Sequence, residues 1–204
     1  MNQIRIATPS DARGMLAIYA PYIRHTTLTF ETEVPADEAF ADRIAHYLAY
    51  APWLVWERDG QLAGYAYASR YRERAGYQWS VESSVYIADG WRRTGVGTAL
   101  YGALTGLLRL QGFRNVYAVI NLPNPQSVAF HERLGFRWMA TYPRVGYKLG
   151  GWRDVGWWQL ILNEYTADPD PPVPFSALPL RQVEDLLREA GSLVSLRYPA
   201  HRQR

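Results

Sequence analysis

The sequence predicts a mixed α/β (α+β) sheet with helices on its faces, and three observations carry that expectation. Asp59-Gly60, a hairpin turn pair, separates two runs rich in aromatic and β-branched residues. A long amphipathic run over 95–110 lies between two further strand-like runs, 79–87 and 115–120. Asn124-Pro125 then opens a short helical run that Gly135 closes. Antiparallel hairpins come first and strand–helix alternation follows, which is the order of a mixed sheet covered on its faces by helices.

The elements follow in chain order. Residues 4–7 read as a short strand. Pro9-Ser10-Asp11 supplies helix-start chemistry, and Ala12, Met15, Leu16 and Tyr19 follow at helical spacing. A polar and aromatic loop, 26–34, leads to a second helix over 36–48, with Phe40, Ile44, Tyr47 and Leu48 on one face. The hairpin strands are 53–57 and 62–71. In the helix over 95–110 the apolar face is Val96, Ala99, Leu100, Ala103, Leu104 and Leu107. Asn124 caps the helix over 125–134, and two more strands are expected around 136–142 and 154–162.

The chain divides at about residue 165. Residues 1–165 form one domain, a normal size for a single core. Beyond them, 168–174 carries four prolines and is stiff and extended. In 166–204 a short amphipathic helix follows, with Val183, Leu186, Leu187 and Ala190 on one face and an expected Glu184–Arg188 pair. Such a helix is too short to stand alone, so it docks on its own body or on a partner subunit. The tail carries Arg197, Arg202 and Arg204 and reads as a solvated basic end.

Composition narrows the function classes. The hydrophobic fraction of 48% and charged fraction of 20% fit a soluble protein with a real core. A net charge of +3 without a clustered patch argues against nucleic acid. Without cysteine there is no disulfide, thiolate metal site or cysteine nucleophile, and four scattered histidines make no metal cluster. No signal peptide or long apolar run points to a membrane, so a cytoplasmic protein is expected. The density of aromatics, 8 Trp and 15 Tyr, suits a large core or an aromatic-walled small-molecule pocket.

The most informative segment is Arg92-Arg93-Thr94-Gly95-Val96-Gly97, with Thr98 behind it, between a strand and the long helix. Glycines let backbone approach a ligand, and the free N–H groups of the first helical turn then face it. An anion belongs there, and a pyrophosphate fits best. Arg92 and Arg93 add charge beside it. A dinucleotide-binding turn would need a third spaced glycine and a preceding parallel unit, and both are missing. A plain Gly-rich helix start is the bland reading.

This Arg-x-x-Gly-x-Gly turn resembles the coenzyme A pyrophosphate loop of the GNAT acetyltransferases. The run from Asn124 through Ser127, His131 and Gly135-Phe136 resembles the second signature of that superfamily. The resemblance narrows to the phosphinothricin acetyltransferase family at Trp53-Leu54-Val55, Gly64-Tyr65-Ala66-Tyr67-Ala68, Val81-Glu82-Ser83-Ser84-Val85-Tyr86, Arg93-Thr94-Gly95-Val96-Gly97, Ala118-Val119-Ile120-Asn121-Leu122-Pro123-Asn124 and Asp154-Val155-Gly156-Trp157-Trp158-Gln159-Leu160. It covers about residues 2–165. It implies the GNAT acyl-CoA N-acyltransferase fold, with a central, mostly antiparallel twisted sheet flanked by helices. It also implies acetyl-CoA as co-substrate, no metal and a homodimer. That family N-acetylates phosphinothricin, a glutamate analogue, and close relatives acetylate methionine sulfone and sulfoximine.

Acetyl transfer to an amine requires loss of the amine's proton and polarisation of the thioester carbonyl. With no cysteine, direct transfer in a ternary complex is the simplest chemistry. Glu82, in the strand before the Gly turn, is the candidate base, and it stands at the family's proposed catalytic glutamate. Its bland alternative is a strand Glu paired with an Arg. His131 occupies the helix position where many GNAT enzymes carry Tyr, and an imidazole there can protonate the leaving thiolate or assist deprotonation. A lone histidine is more often structural. Backbone N–H groups of Val85, Tyr86 and Ile87 are candidates for the thioester oxygen and coenzyme, with Asn124 and Ser127 on the other wall.

For the acceptor, Arg72-Glu73-Arg74-Ala75-Gly76-Tyr77 resembles the family's substrate loop, where a Lys and an Arg stand two residues apart before a Tyr. Here Arg72 takes the Lys position, which keeps charge but changes donor geometry. Phe30 matches a pocket aromatic. Arg72, Arg74, Tyr77 and Phe30 are therefore the candidate acceptor contacts, unless the loop is merely solvated. The expected reaction is N-acetylation of a small amino-acid-like acceptor. The alternatives are a protein or peptide N-acetyltransferase and a non-catalytic acyl-CoA-binding regulatory module.

Overall fold

The computed structural model describes residues 2–197. Seven strands form one sheet in the order β1-β2-β3-β4-β5-β7-β6. The strands are β1 (Asn2–Ile6), β2 (Trp53–Arg58), β3 (Gln61–Arg70), β4 (Ser80–Ile87), β5 (Asn115–Leu122), β6 (Arg137–Lys148) and β7 (Gly151–Ile161). All neighbours are antiparallel except β4 and β5, which run parallel. The helices are α1 (Ala12–His25), α2 (Asp37–Leu48), α3 (Val96–Gln111), α4 (Pro125–Arg133) and α5 (Leu180–Arg197). The predicted mostly antiparallel sheet flanked by helices is therefore the observed architecture.

Period-2 alternation in the strands sends side chains to two faces, and each face has its own core. On one face, Met15, Leu16 and Ile23 of α1 and Phe40 and Ile44 of α2 meet Trp53, Val55 and Tyr65. On the other, α3 lays Leu100, Leu104 and Leu107 against Leu54, Trp56, Ala66 and Val81. Trp53 and Trp56, adjacent parities of one strand, are both fully buried. Trp53 joins the first core and Trp56 the second, so β2 anchors both layers.

The polyproline stretch is tied down where Gln111 Nε2 donates to Val173 O and Val173 N–H donates back to Gln111 O. Helix α5 then docks on the chain's own body: Val183, Leu187, Ala190 and Val194 join the α3-side core, and Leu186 lies against Gly106. Arg188 pairs with Asp185 rather than with Glu184. Arg202 and Arg204 lie outside the described residues.

The largest departure from the sequence expectation is in β6 and β7, expected around 136–142 and 154–162. β6 and β7 run on to a tight turn in which Leu149 and Gly150 both have positive φ, 47° and 75°. That is two-residue hairpin geometry, and the Leu149-Gly150-Gly151 sequence carries its signal. The extra length projects Val145, Tyr147, Leu149 and Trp152, all exposed, from the end of the sheet.

Candidate active site

β4 and β5 pair only from Ser80↔Asn115 to Ser83↔Ala118, yet β4 continues to Ile87 and β5 to Leu122. The two strands splay above that junction. Ala88 N–H donates to Ala63 O across the β3 side. By strand alternation Tyr86 also faces β3, while the peptide groups of Val85 and Ile87 face the opening. A cavity of about 860 Å³ fills the fork.

The Gly turn closes the upper end of this cavity. Gly95, the N-cap of α3, has φ 90°, and Arg93 before it has φ 62°. A non-glycine residue with positive φ is strained, and such strain is retained where a turn needs a fixed backbone path. Gly95 has no side chain to cap the helix, so the N–H groups of Val96, Gly97 and Thr98 stand at its open, positive end. Arg92, Arg93, Gly95, Gly97 and Thr98 line the cavity. Two predicted members turn their side chains away. Val96 is buried in the core, and Thr94 Oγ1 donates to Trp91 O at 2.6 Å. Neither Thr94 nor Val96 lines the cavity.

α4 forms the facing wall. Asn124 Oδ1 accepts from Ser127 N–H at 3.2 Å, so Asn124 fills its capping role. Asn124 and Ser127 also line the cavity. One turn later His131 is buried, and its ring is held on both sides. Nδ1 lies 2.8 Å from Ser127 O, and a carbonyl only accepts, so Nδ1 carries the proton. Burial lowers the His131 pKa, which favours the neutral ring. Nε2 must then accept, and Tyr101 O–H donates to it at 2.9 Å. Tyr101 Oη also lies 3.1 Å from Ser83 Oγ, at the base of the fork.

Sequence reasoning missed Tyr101. Its signal was its place one helical turn after Gly97, on the face of α3 that looks at the turn, with a polar group on an otherwise apolar stripe. Tyr101→Phe is expected to destabilise the protein by about 1–3 kcal/mol, because buried Nε2 and Ser83 Oγ both lose a partner. Chemical denaturation checks this, and a midpoint equal to wild type would refute the assignment of that hydrogen bond.

Glu82 lies just below the fork, on the opposite face from Ser83. Its Cα partners are Ser69 on β3 and Tyr117 on β5. Burial raises its pKa above the usual carboxylate range, against a lowering pull from Arg72. Arg72 Nη1 sits 3.2 Å from Glu82 Oε1. The Arg72 guanidinium also lies over the rings of Tyr71, at 4.4 Å, and Trp157, at 5.8 Å. Tyr71, Tyr117 and Trp157 contact one another and wall this corner. Sequence reasoning left these three out because they stand on different strands and loops.

The remaining candidate acceptor residues, Phe30, Arg74 and Tyr77, do not line the cavity. Tyr77 packs edge-on against Tyr71 at 5.6 Å and is exposed. Arg74 is exposed on the same loop and does not reach Glu82. Phe30 lies against Gly146 of β6, so close that a Cβ there would fall 2.2 Å from its ring. The 26–34 loop is fixed further by Lys148 Nζ, buried and donating to Thr29 O at 2.7 Å, and by Asn121 Nδ2, which donates to Thr27 O. The structure thus gathers the predicted coenzyme residues, except Thr94 and Val96, around one cavity. It places Glu82 with Arg72 beside it, brings Tyr77 to that corner through Tyr71, and does not bring Phe30 or Arg74 to either. Among the described residues no group of three or more His, Asp or Glu is placed to hold a metal ion.

Residues 4–157 match the acetyltransferase (GNAT) domain family. The chain is 40% identical to a phosphinothricin N-acetyltransferase of Streptomyces viridochromogenes over 176 residues, covering 86% of this chain and 96% of that one. It is 37% identical to an L-methionine sulfoximine/L-methionine sulfone acetyltransferase of Pseudomonas paraeruginosa, covering 81% and 98%. Among solved structures, a phosphinothricin acetyltransferase from Sinorhizobium meliloti in complex with acetyl-CoA superposes with a TM-score of 0.77 at 31% identity, covering 85% of this chain and 98% of that one.

Proposed function

The chain belongs to the GNAT acetyltransferase family, and from that premise we propose that it moves the acetyl group of acetyl-CoA onto the amine of a small amino-acid-like acceptor of the phosphinothricin or methionine sulfone type. The observation that carries the reading is the open fork between β4 and β5, capped by the free N–H groups of α3, with Glu82 at its foot. Pyrophosphate would lie on the turn from Arg92 to Thr98, and the pantetheine arm along the fork. The N–H of Val85 or Ile87 would hold the thioester oxygen, polarising the carbonyl and stabilising the oxyanion.

In this reading Glu82 accepts a proton from the acceptor's ammonium. The amine attacks the carbonyl directly, and the thiolate leaves beside Tyr101 and His131. His131 acts with Tyr101 rather than alone, because its Nε2 already accepts from that phenol. No metal is needed. Arg72, and Arg74 on the same loop, supply the positive charge that an acid group on the acceptor calls for. The cytoplasm, where acetyl-CoA is made and used, is the place we assign to the reaction.

The test is a thiol-release screen with acetyl-CoA against amino acids, their sulfone, sulfoximine and phosphinate analogues, polyamines and peptides. Turnover confined to amino-acid analogues is expected. Turnover on peptides alone would support a protein N-acetyltransferase, and coenzyme binding without turnover would support a regulatory module.

We also propose a homodimer. β6 is an edge strand, and Trp138, Tyr147 and Trp152 of the terminal hairpin are all exposed. An unpaired edge beside a large apolar patch is a surface that proteins cover. Sedimentation should give twice the 23.4 kDa chain mass, and Trp152→Glu should shift it toward the monomer.

A further inference from the structure

Two roles meet in one contact. The acceptor reading asks Glu82 to take the amine's proton and Arg72 to hold the acid group, yet in the structure these two side chains hold each other. The place where they meet has a definite chemistry. A carboxylate oxygen, the Tyr71 ring and the Trp157 ring surround the Arg72 guanidinium. That combination suits any organic cation. An acceptor amine arrives as an ammonium and makes the same demand. Guanidinium and ammonium cannot both occupy it.

We propose that Arg72 guards Glu82: it fills the ammonium position in the free enzyme, and an acceptor bearing an acid group draws it off, freeing the carboxylate to act as base. The inference rests on the acceptor reading above and adds to it a cause for acid-group selectivity.

The geometry allows the exchange. The contact to Glu82 is long, at 3.2 Å, and the Arg72 side chain is 50% exposed. A pair so open to solvent is weak. The same Nη1 also donates to Tyr71 O at 2.7 Å, so the guanidinium is shared rather than committed to the carboxylate. An acid group on the acceptor offers a charge-assisted, bidentate partner in exchange. An amine without one offers Arg72 nothing, and must compete for Glu82.

Departure of Arg72 also changes the base. Around Glu82, β3 contributes Ser69 and β5 contributes Tyr117, neither charged, and the 71–77 loop contributes Tyr71 and Arg72. Arg72 is the charge that lowers the carboxyl pKa against the effect of burial. Once it leaves, the carboxylate is more basic. Glu82 then takes one proton from R–NH3+, and the N–C bond forms as the C–S bond breaks. A second proton passes from nitrogen to the thiolate sulfur, one stays on the amide, and Glu82 returns its proton to water.

The experiment compares methionine sulfone with 3-(methylsulfonyl)propylamine, the same molecule without its carboxyl, on wild type, Arg72→Gln and Arg72→Lys. In Arg72→Gln the specificity constant for the amino acid should fall about tenfold or more, while that for the bare amine should rise about threefold or more. The acid limb of kcat for the bare amine should move to higher pH, and Arg72→Lys should reverse part of both effects. Acetyl-CoA affinity, measured by calorimetry, should match wild type. An unchanged bare-amine rate would mean that Arg72 blocks nothing and overturn the proposal. A parallel loss for both acceptors would make Arg72 a structural support and overturn it equally. If wild type releases no thiol with either compound, the acceptor reading itself falls, and this inference with it.

Discussion

Glu82→Gln is expected to lower turnover about a hundredfold or more, the scale on which a positioned general base contributes. The amide is isosteric, so the strand, the aromatic corner and the cavity should persist. Acetyl-CoA affinity should change little, because Glu82 lies on the face of β4 opposite Ser83 and does not line the coenzyme cavity. The pH dependence gives a second readout. A base works in its deprotonated form, and burial raises the Glu82 pKa. Activity should therefore fall, as pH drops, at a higher pH than an ordinary carboxylate would set. Removing Arg72 takes away a lowering influence and should push that limb higher still. In Glu82→Gln the limb should vanish with the rate. A Gln variant that keeps near-wild-type turnover, or the same acid limb, would assign the base elsewhere.

Gly97→Val is expected to weaken acetyl-CoA binding at least about tenfold, or about 1.4 kcal/mol, while leaving the fold intact. Gly97 lines the cavity at the first turn of α3. A Cβ there would sit 3.5 Å from the Phe130 ring, an ordinary contact, so the body of the protein tolerates it. Because Gly97 lines the cavity, the added γ-methyl groups would hold a phosphate off the backbone N–H groups there. Gly95 makes the useful contrast. Its φ of 90° is left-handed, and any L side chain there is strained by about 1–2 kcal/mol. Gly95→Val should thus lose stability and binding together, and Gly97→Val should lose binding alone. Calorimetry with acetyl-CoA and a thermal melt on both variants separate the two effects. Wild-type affinity in a folded Gly97→Val would remove the turn from the coenzyme site.

The sequence by itself determined the strand and helix order, because alternation in the strands, helical spacing in 95–110 and the caps at Asn124 and Gly135 are local signals. It also determined the coenzyme side of the site. Gly95, Gly97, Asn124 and His131 stand within two short runs, and their positions follow from a strand–turn–helix path that neighbouring residues dictate. What the sequence could not determine was which side chains meet across the sheet. Tyr101 reaches His131 over 30 positions, Trp157 reaches the Arg72 loop over more than 80, and Phe30 lies on Gly146 over more than 100. Each contact depends on the strand order, and the step from β5 to β7 before β6 leaves no trace in local periodicity.

The same limit explains the two arginines. Arg72 and Arg74 are equivalent in the sequence, two charges on one polar loop. Only the folded chain brings Arg72 over Tyr71 and Trp157 to Glu82 and leaves Arg74 in solvent. Docking of α5 was likewise open in the sequence, because an amphipathic face specifies that it must be covered but not by what. The tertiary structure decided it. Helix α5 packs on α3 and beside β1, and that joins Val183, Leu187, Ala190 and Val194 to the core.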